Sequence, residues 1–264
     1  MSSFDDIYDR PDPRAYFARL APLDYRIPHH AQPVFRAAVA ELARRRPGGP
    51  VTVVDLCCSY GINAALLNHD LTLGDLYDRY TGPATDGLSR EELIASDREF
   101  YASRRRPDAC PVVGVDVSPR AVAYAADAGL LDAAFAENLE TAPASAALAA
   151  ALAPARLVTV TGGLSYIGPR TFDAVATACH GRAWVVAFAV RPVDYRPVAG
   201  VLRRHGLVTR TPERTFPQRR FTGPEERRNA LERVGAAGLD PAGREAEGYY
   251  HAVLHASRPA PDWG

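Results

Sequence analysis

The sequence predicts a doubly wound α/β domain, a mostly parallel sheet with helices on both faces. Three observations carry this. Apolar runs of strand length (VTVV, PVVGVDV, ARLVTVT and AWVVAFAV) alternate with segments of helical spacing, the pattern of a parallel sheet buried on both sides. Two of these runs end in a carboxylate, Asp55 and Asp116, directly before a turn and an Ala-rich helix. No repeat or linker divides the 264 residues, enough for one domain with a substantial core.

Taken in order, residues 1–30 are irregular and punctuated by proline, yet carry Tyr8, Tyr16, Phe17 and Tyr25. A disordered tail would be poorer in aromatics, so this segment is expected to cap the domain that follows at 31–264. Ala31 to Arg46 has helical spacing at Val34, Phe35, Ala38, Val39 and Leu42, and RPGGP ends it before the first strand. The unit VTVVDLCCSYGINAALL then reads as strand, tight turn and helix. LTLGDLYDRY and SREELIASDREFYASRRR form an amphipathic helical insert at about 69–109, which would serve as a lid over a crevice or as a bolster on the outer face.

PVVGVDVSP is the next strand, with Ser118 as N-cap and Pro119 as the first helical residue. DAAFAENLE reads as a short strand and turn, SAALAAALAP as a helix, and ARLVTVTGGLSYIG as a strand ending in glycines. TFDAVATACH is helical, with His180 against the dipole at its C-terminus, and AWVVAFAV is a fifth buried strand. Helix GPEERRNALERVGAAG precedes two strand pieces, a weak one within Leu239–Gly248 and a clearer one at His251–Ser257, which would pair as an antiparallel hairpin at the sheet edge.

Composition narrows the function classes. Lys+Arg and Asp+Glu are equal at 31, so no net field draws in nucleic acid or an anionic membrane. Every cation is Arg, and pairs and triplets such as Arg44–Arg46 and Arg104–Arg106 read as solvated faces. No apolar signal core and no uninterrupted apolar span of ~18 residues is present; a cytoplasmic protein without a membrane partner is expected. The four cysteines, Cys57, Cys58, Cys110 and Cys179, lack paired CxxC spacing. No metal site is expected, and Cys57 and Cys58 read as small packing residues.

In open α/β sheets ligands bind beyond the carboxyl ends of the strands. Four segments bring polar groups there: Asp55 with Ser59 and Gly61, Asp116, Glu137 with Asn138, and Gly162–Gly163 with Ser165 and Tyr166. In these segments the chain resembles the class I S-adenosylmethionine (SAM)-dependent methyltransferases, over roughly residues 31–258, with GVDVSPRAV the most specific element. The family's first loop runs acid–x–Gly–x–Gly–x–Gly; here Asp55 and Gly61 match, while Cys57 and Ser59 replace two glycines. The resemblance implies a Rossmann-like fold and SAM as co-substrate. It implies that Asp55, Cys57, Ser59, Tyr60 and Gly61 line the first loop, and that Asp116 beside Val117 holds the ribose. It also implies that Asn138, where the family often has Asp, reaches the adenine, with Glu137 beside it in the cofactor site, and that Gly162 and Gly163 line the reaction centre.

SAM has no phosphate, so its loop needs room and hydrogen bonds more than bare amides. Ser59 supplies a hydroxyl, and a small Cys57 is tolerated where its φ stays negative. The lost glycines argue against a dinucleotide, as does the lack of a YxxxK signature in a chain without lysine.

Methyl transfer needs alignment more than acid catalysis, though an oxygen or nitrogen acceptor can need a base. Candidates for the reaction centre are Tyr166, His29 and His30, with Tyr25 and Tyr16 as aromatic walls facing a sulfonium. The expected function is methyl transfer to a small molecule, in specialised metabolism, with a homodimer compatible with the sequence. Two other readings stay open. PDPRAYF…LDYRIP, DLCCSYGIN and the helical insert also resemble the branch containing azetidine-2-carboxylate synthases, which close SAM's own tail into a ring and release methylthioadenosine. A SAM-binding module without chemistry is the third.

Overall fold

The computed structural model describes residues 5–45 and 47–263. Arg46, the predicted last residue of the first long helix, lies outside them, as do residues 1–4 of the N-terminal cap. Three helices precede the sheet: α1 (Asp5–Tyr8), α2 (Arg14–Leu20) and α3 (Ile27–Arg45). Strand β1 (Thr52–Leu56) leads into α4 (Ile62–Asn68), and the insert forms α5 (Leu73–Thr81) and α6 (Arg90–Ala102). Then follow β2 (Val112–Asp116), α7 (Pro119–Asp127), β3 (Ala133–Ala136), α8 (Ala146–Leu152), β4 (Ala155–Thr161), α9 (Pro169–Ala178) and β5 (Trp184–Val190). The last third holds α10 (Arg196–Arg204), β6 (Leu207–Arg210), β7 (Thr215–Arg220), α11 (Pro224–Ala236) and β8 (Tyr249–Pro259).

The strands pair in the order β3-β2-β1-β4-β5-β8-β6, with β7 also on β8. The first five are parallel, and β8 runs antiparallel to β5, β6 and β7. This is the doubly wound 3-2-1-4-5-6 order with one antiparallel strand slotted before the last, so the predicted Rossmann-like sheet with an antiparallel edge is the one observed. The order reverses between β1 and β4, which opens a crevice at their carboxyl ends.

Side-chain alternation divides the core. In β5, Trp184, Val186 and Phe188 face the side covered by α3, α4, α7 and the insert. Val185, Ala187 and Ala189 face the side covered by α8, α9 and α10. All seven residues of β5 are buried, which is why AWVVAFAV reads as a continuous apolar run rather than an alternating one.

Three expectations need correction. Residues 5–30 are largely helical, and α3 starts at Ile27, four residues before the predicted Ala31. Phe17, Leu20 and Ile27 are fully buried, and that burial orders a stretch whose proline content suggests loop. The edge hairpin does not involve Leu239–Gly248, which turns through Gly243 and Gly248 at positive φ and forms a short 3-10 turn at Glu245–Glu247. The strands on the outer side of β8 are β6 and β7, in Arg-rich segments that local patterning does not mark. The two insert helices form as predicted, each with a capping box at its start, Thr72 with Asp75 and Ser89 with Glu92.

The insert holds the N-terminal helices over the crevice. Phe17 stacks on Tyr80 at 4.8 Å and meets Tyr77 edge-on at 5.3 Å, and the Tyr77 hydroxyl donates to the Tyr25 carbonyl at 2.8 Å. Arg14 donates to the carbonyls of Thr85 and Leu88, and Arg90 to that of Pro11. Behind these contacts sits Asp97, fully buried. Its carboxylate accepts from Arg79 Nε and the Tyr80 hydroxyl at 2.6 Å each, and from the Tyr124 hydroxyl at 2.5 Å. A buried charge with that many donors is compensated, and it rivets α5, α6 and α7 together.

Candidate functional site

A cavity of about 390 Å³ lies at the carboxyl ends of the central strands, within the range of small-molecule sites. Its floor takes one residue group from each strand end, and its roof is the N-terminal segment, with Tyr8, Tyr16 and Tyr25. No residue of the insert lines it; the insert is a bolster behind the roof rather than a lid.

The turn after β1 is held by one acceptor, the Asp116 carboxylate. The Ser59 amide donates to Asp116 Oδ2 at 2.9 Å, and the Ser118 amide to Oδ1 of the same carboxylate at 3.0 Å. Ser118 starts α7 without a side-chain cap; the Asp116 carboxylate fixes that backbone instead. Contrary to the expectation of negative φ, Cys57 sits at φ 56° and Ser59 at φ 48°. The turn keeps its left-handed geometry although the glycines are gone, at a cost of about 1–2 kcal/mol per residue. The Ser59 Oγ is buried and has no protein partner.

Asp55 lies beneath this turn. Its Oδ1 accepts from Asn63 Nδ2 at 2.9 Å and Thr159 Oγ1 at 2.8 Å, and Asn63 also donates to Thr161 Oγ1 at 3.0 Å. Oδ2 is buried with no partner. Burial, only partly offset by Asn63 and Thr159, pushes the carboxyl up to about 7.

Glycines on the β4 side make room. A Cβ on Gly163 would lie 2.5 Å from Cys57 Sγ, and one on Gly162 2.8 Å from the Tyr25 hydroxyl. Burial raises the Cys57 thiol far above its ordinary range, which keeps it neutral and inert. Burial likewise raises Tyr8, Tyr16 and Tyr25, which favours the neutral phenol over the phenolate.

Of the sequence-predicted residues, Asp116, Val117, Cys57, Ser59, Glu137, Asn138, Gly162, Gly163, Tyr16, Tyr25 and Tyr166 all meet at this cavity. Glu137 also braces the wall, its carboxylate accepting from the Ser145 amide at 2.9 Å and hydroxyl at 2.6 Å. Val117 and Tyr166 are 59% and 53% exposed and mark the rim. Five residues do not reach it, the first being Asp55, buried beneath the turn and outside the lining. Gly61 turns away, where a Cβ would press on Ala125 and Leu130 at 3.2 Å. The buried Tyr60 anchors the roof, its hydroxyl accepting from the Arg10 amide at 2.9 Å. His29 is exposed on α3, and His30 packs on Phe216 at 5.6 Å, with burial first and His29 second lowering its pKa to about 4.

Sequence reasoning missed Tyr8, Asn63, Thr161, Gln218 and Arg219, all of which line the cavity. Asn63 was signalled by its place as the polar residue in INAALL. Gln218 and Arg219 lie on β7, unmarked in the sequence. Arg219 is buried and its NH2 and NH1 groups donate to Glu226 at 2.8 and 3.0 Å. Burial opposes ionisation of Glu226, yet Arg219 and Thr222 hold its carboxyl at about 2. Among the described residues no cluster of His, Cys, Asp or Glu could hold a metal ion, and no helix is long and apolar enough to cross a membrane.

No protein-family model matches the chain, and no curated protein sequence matches it. Solved structures of similar chain path do. Magnesium protoporphyrin IX methyltransferase from Synechocystis PCC 6803, with bound SAM, is 14% identical over 97% of this chain and 92% of its own, at a TM-score of 0.43. A TehB-like SAM-dependent methyltransferase from Corynebacterium glutamicum is 12% identical over 84% and 87%, at 0.39. The YcgJ protein from Bacillus subtilis is 10% identical over 88% and 98%, at 0.48.

Two outcomes follow from the turn. Ser59→Gly should raise the stability of the ligand-free protein by about 1 kcal/mol, because glycine removes the left-handed strain; a lowered thermal midpoint would show that the turn stores none. Asp55 binds a proton in the folded protein that the unfolded chain loses above pH of about 4, so its contribution to stability declines as pH rises to about 7. Relative to Asp55→Asn, the wild type should lose up to about 4 kcal/mol across that window. Urea unfolding of both proteins at stepped pH checks this, and a gap that stays constant overturns it.

Proposed function

We propose that the chain is a SAM-dependent methyltransferase acting on a small molecule. The observation that carries this reading is the carboxylate of Asp116. It sits at the end of β2, fixed by two backbone amides, and lines the crevice at the switch point where a ribose binds. The residues present fit SAM. The orphaned Ser59 hydroxyl and Asn63 offer hydrogen bonds to an amino-acid tail, and Glu137 and Asn138 lie at the β3 end for an adenine. The crowded, non-glycine turn suits a ligand without pyrophosphate. SAM supplies an electrophilic carbon on a sulfonium. Tyr8, Tyr16 and Tyr25 offer ring faces to that cation, worth about 2 kcal/mol when desolvated, and exclude water from it. The neutral charge balance supports a small acceptor over nucleic acid, and a cytoplasmic protein of specialised metabolism fits this reading.

One observation favours a second reading, the cyclase that forms azetidine-2-carboxylate from SAM alone. The cavity is roofed by the chain's own aromatic segment, which suits a reaction with no second substrate. In that reaction the tail nitrogen bonds to its own γ-carbon, the carbon–sulfur bond breaks, and a proton leaves the nitrogen as methylthioadenosine departs.

Asp116→Ala should weaken SAM binding by at least about tenfold, through loss of charge-assisted hydrogen bonds; unchanged affinity by calorimetry would remove the ribose assignment. Incubation of the protein with SAM alone, with nucleosides followed by mass spectrometry, separates the two reactions. Intact SAM is the expected result for a methyltransferase, and methylthioadenosine above the no-enzyme rate transfers the assignment to the cyclase.

A further inference from the structure

One part of the cavity wall is built on β7, a strand outside all four segments that resemble known SAM sites. In a regular strand, consecutive side chains point to opposite faces, yet Gln218 and Arg219 both line the cavity. A bulge between Pro217 and Arg219 makes this possible: Pro217 pairs with His251 and Arg219 with the next residue back, Tyr250. Bulges of this kind re-aim side chains beside sites. The bulge is pinned to the roof, because the Gln218 carbonyl accepts from the Arg26 amide at 2.8 Å.

The two side chains offer complementary chemistry. Gln218 is 93% buried, and its Oε1 has no protein partner, an acceptor whose desolvation is costly until a donor arrives. Arg219 is a desolvated cation whose partner Glu226 is itself fixed by the Thr222 amide at 2.7 Å and hydroxyl at 3.0 Å. A lone anion would meet a charge largely cancelled by Glu226. A zwitterion presents both signs, and so matches both an ion pair and an orphan acceptor.

We propose that Gln218 and Arg219 form a subsite for an α-amino-acid group, the ammonium on Gln218 Oε1 and the carboxylate on the Arg219 guanidinium, with Glu226 as the positioning residue. The group belongs either to the tail of SAM itself or to an amino-acid co-substrate. The inference rests on the SAM reading only for which end of the cavity receives the nucleoside.

The test uses calorimetry on the full chain with three probes: S-adenosylhomocysteine, methylthioadenosine, which lacks the amino-acid end, and the standard free amino acids titrated with and without methylthioadenosine. The variants are Gln218→Met and the double variant R219Q/E226Q, which leaves no unpaired buried charge; thermal melts confirm that they fold. If SAM's tail occupies the subsite, both variants should lose roughly tenfold or more in affinity for S-adenosylhomocysteine and none for methylthioadenosine. If a co-substrate occupies it, S-adenosylhomocysteine affinity stays and saturable amino-acid binding by the wild type is lost in both. Folded variants that bind every probe as the wild type does overturn the subsite. Failure of the wild type to bind either nucleoside would instead overturn the SAM reading, with the amino-acid titration alone then deciding the subsite.

Discussion

The backbone amide of Ser59 ties the end of β1 to the carboxylate at the end of β2, and the geometry of the crevice depends on that bond. Without it, a turn holding Cys57 and Ser59 at positive φ has little reason to persist, since each residue costs about 1–2 kcal/mol relative to a relaxed backbone. Such conformations survive where the surroundings over-determine them. Here the constraints are the Asp116 carboxylate, the bond from the Gly61 amide to the Cys58 carbonyl at 2.9 Å, and the close fit of Cys57 against Gly163. The same bond has a second effect: with each Asp116 oxygen already anchored by an amide, the carboxylate is held facing the cavity before any ligand arrives.

Buried carboxylates are treated differently at the site and away from it. Asp97, in the insert, meets Arg79 and two tyrosine hydroxyls and is fully compensated. Glu226 has Arg219 and Thr222. Asp55 has neutral donors on one oxygen and nothing on the other. Strain in the turn and an under-compensated carboxylate therefore meet in one place, just beneath the cavity, where Asp55 bonds to the lining residue Asn63. Natural sequences break local rules mainly where function demands it and satisfy them elsewhere, and the contrast between Asp97 and Asp55 follows that division.

Much of this was legible in the sequence, for physical reasons. Continuous apolar runs betray strands buried on both faces, so β1, β2, β4 and β5 were readable, and with them the strand-end residues Asp116, Ser59 and Gly162. The rest depended on contacts distant in sequence. Residues 14–20 look like loop until Phe17 finds Tyr80 in the insert. β6 and β7 are short and rich in arginine, and become strands only because β8 offers a ladder. The bulge that turns both Gln218 and Arg219 inward is a register event, invisible to alternation. His29 and His30 were attractive by residue type alone, and the register of α3 places them against solvent and Phe216.

The anchoring of the roof constrains how a ligand reaches the cavity. Tyr25 is held by Tyr77 and Tyr60 holds Arg10, while Phe17 is locked in an aromatic stack against an insert whose own charge is compensated. Opening that roof would break several of these contacts together and expose the buried Phe17 and Leu20. The rim is cheaper: Val117 and Tyr166, more than half exposed, flank the mouth, and their movement disrupts no core. On the rim side Asn138 is exposed and Asp116 half-buried, whereas Gln218 and Arg219 on β7 are buried. Electrostatic interactions are strongest where water is excluded, so under the proposed subsite the buried Gln218 and Arg219 would discriminate between ligands more sharply than the exposed rim residues.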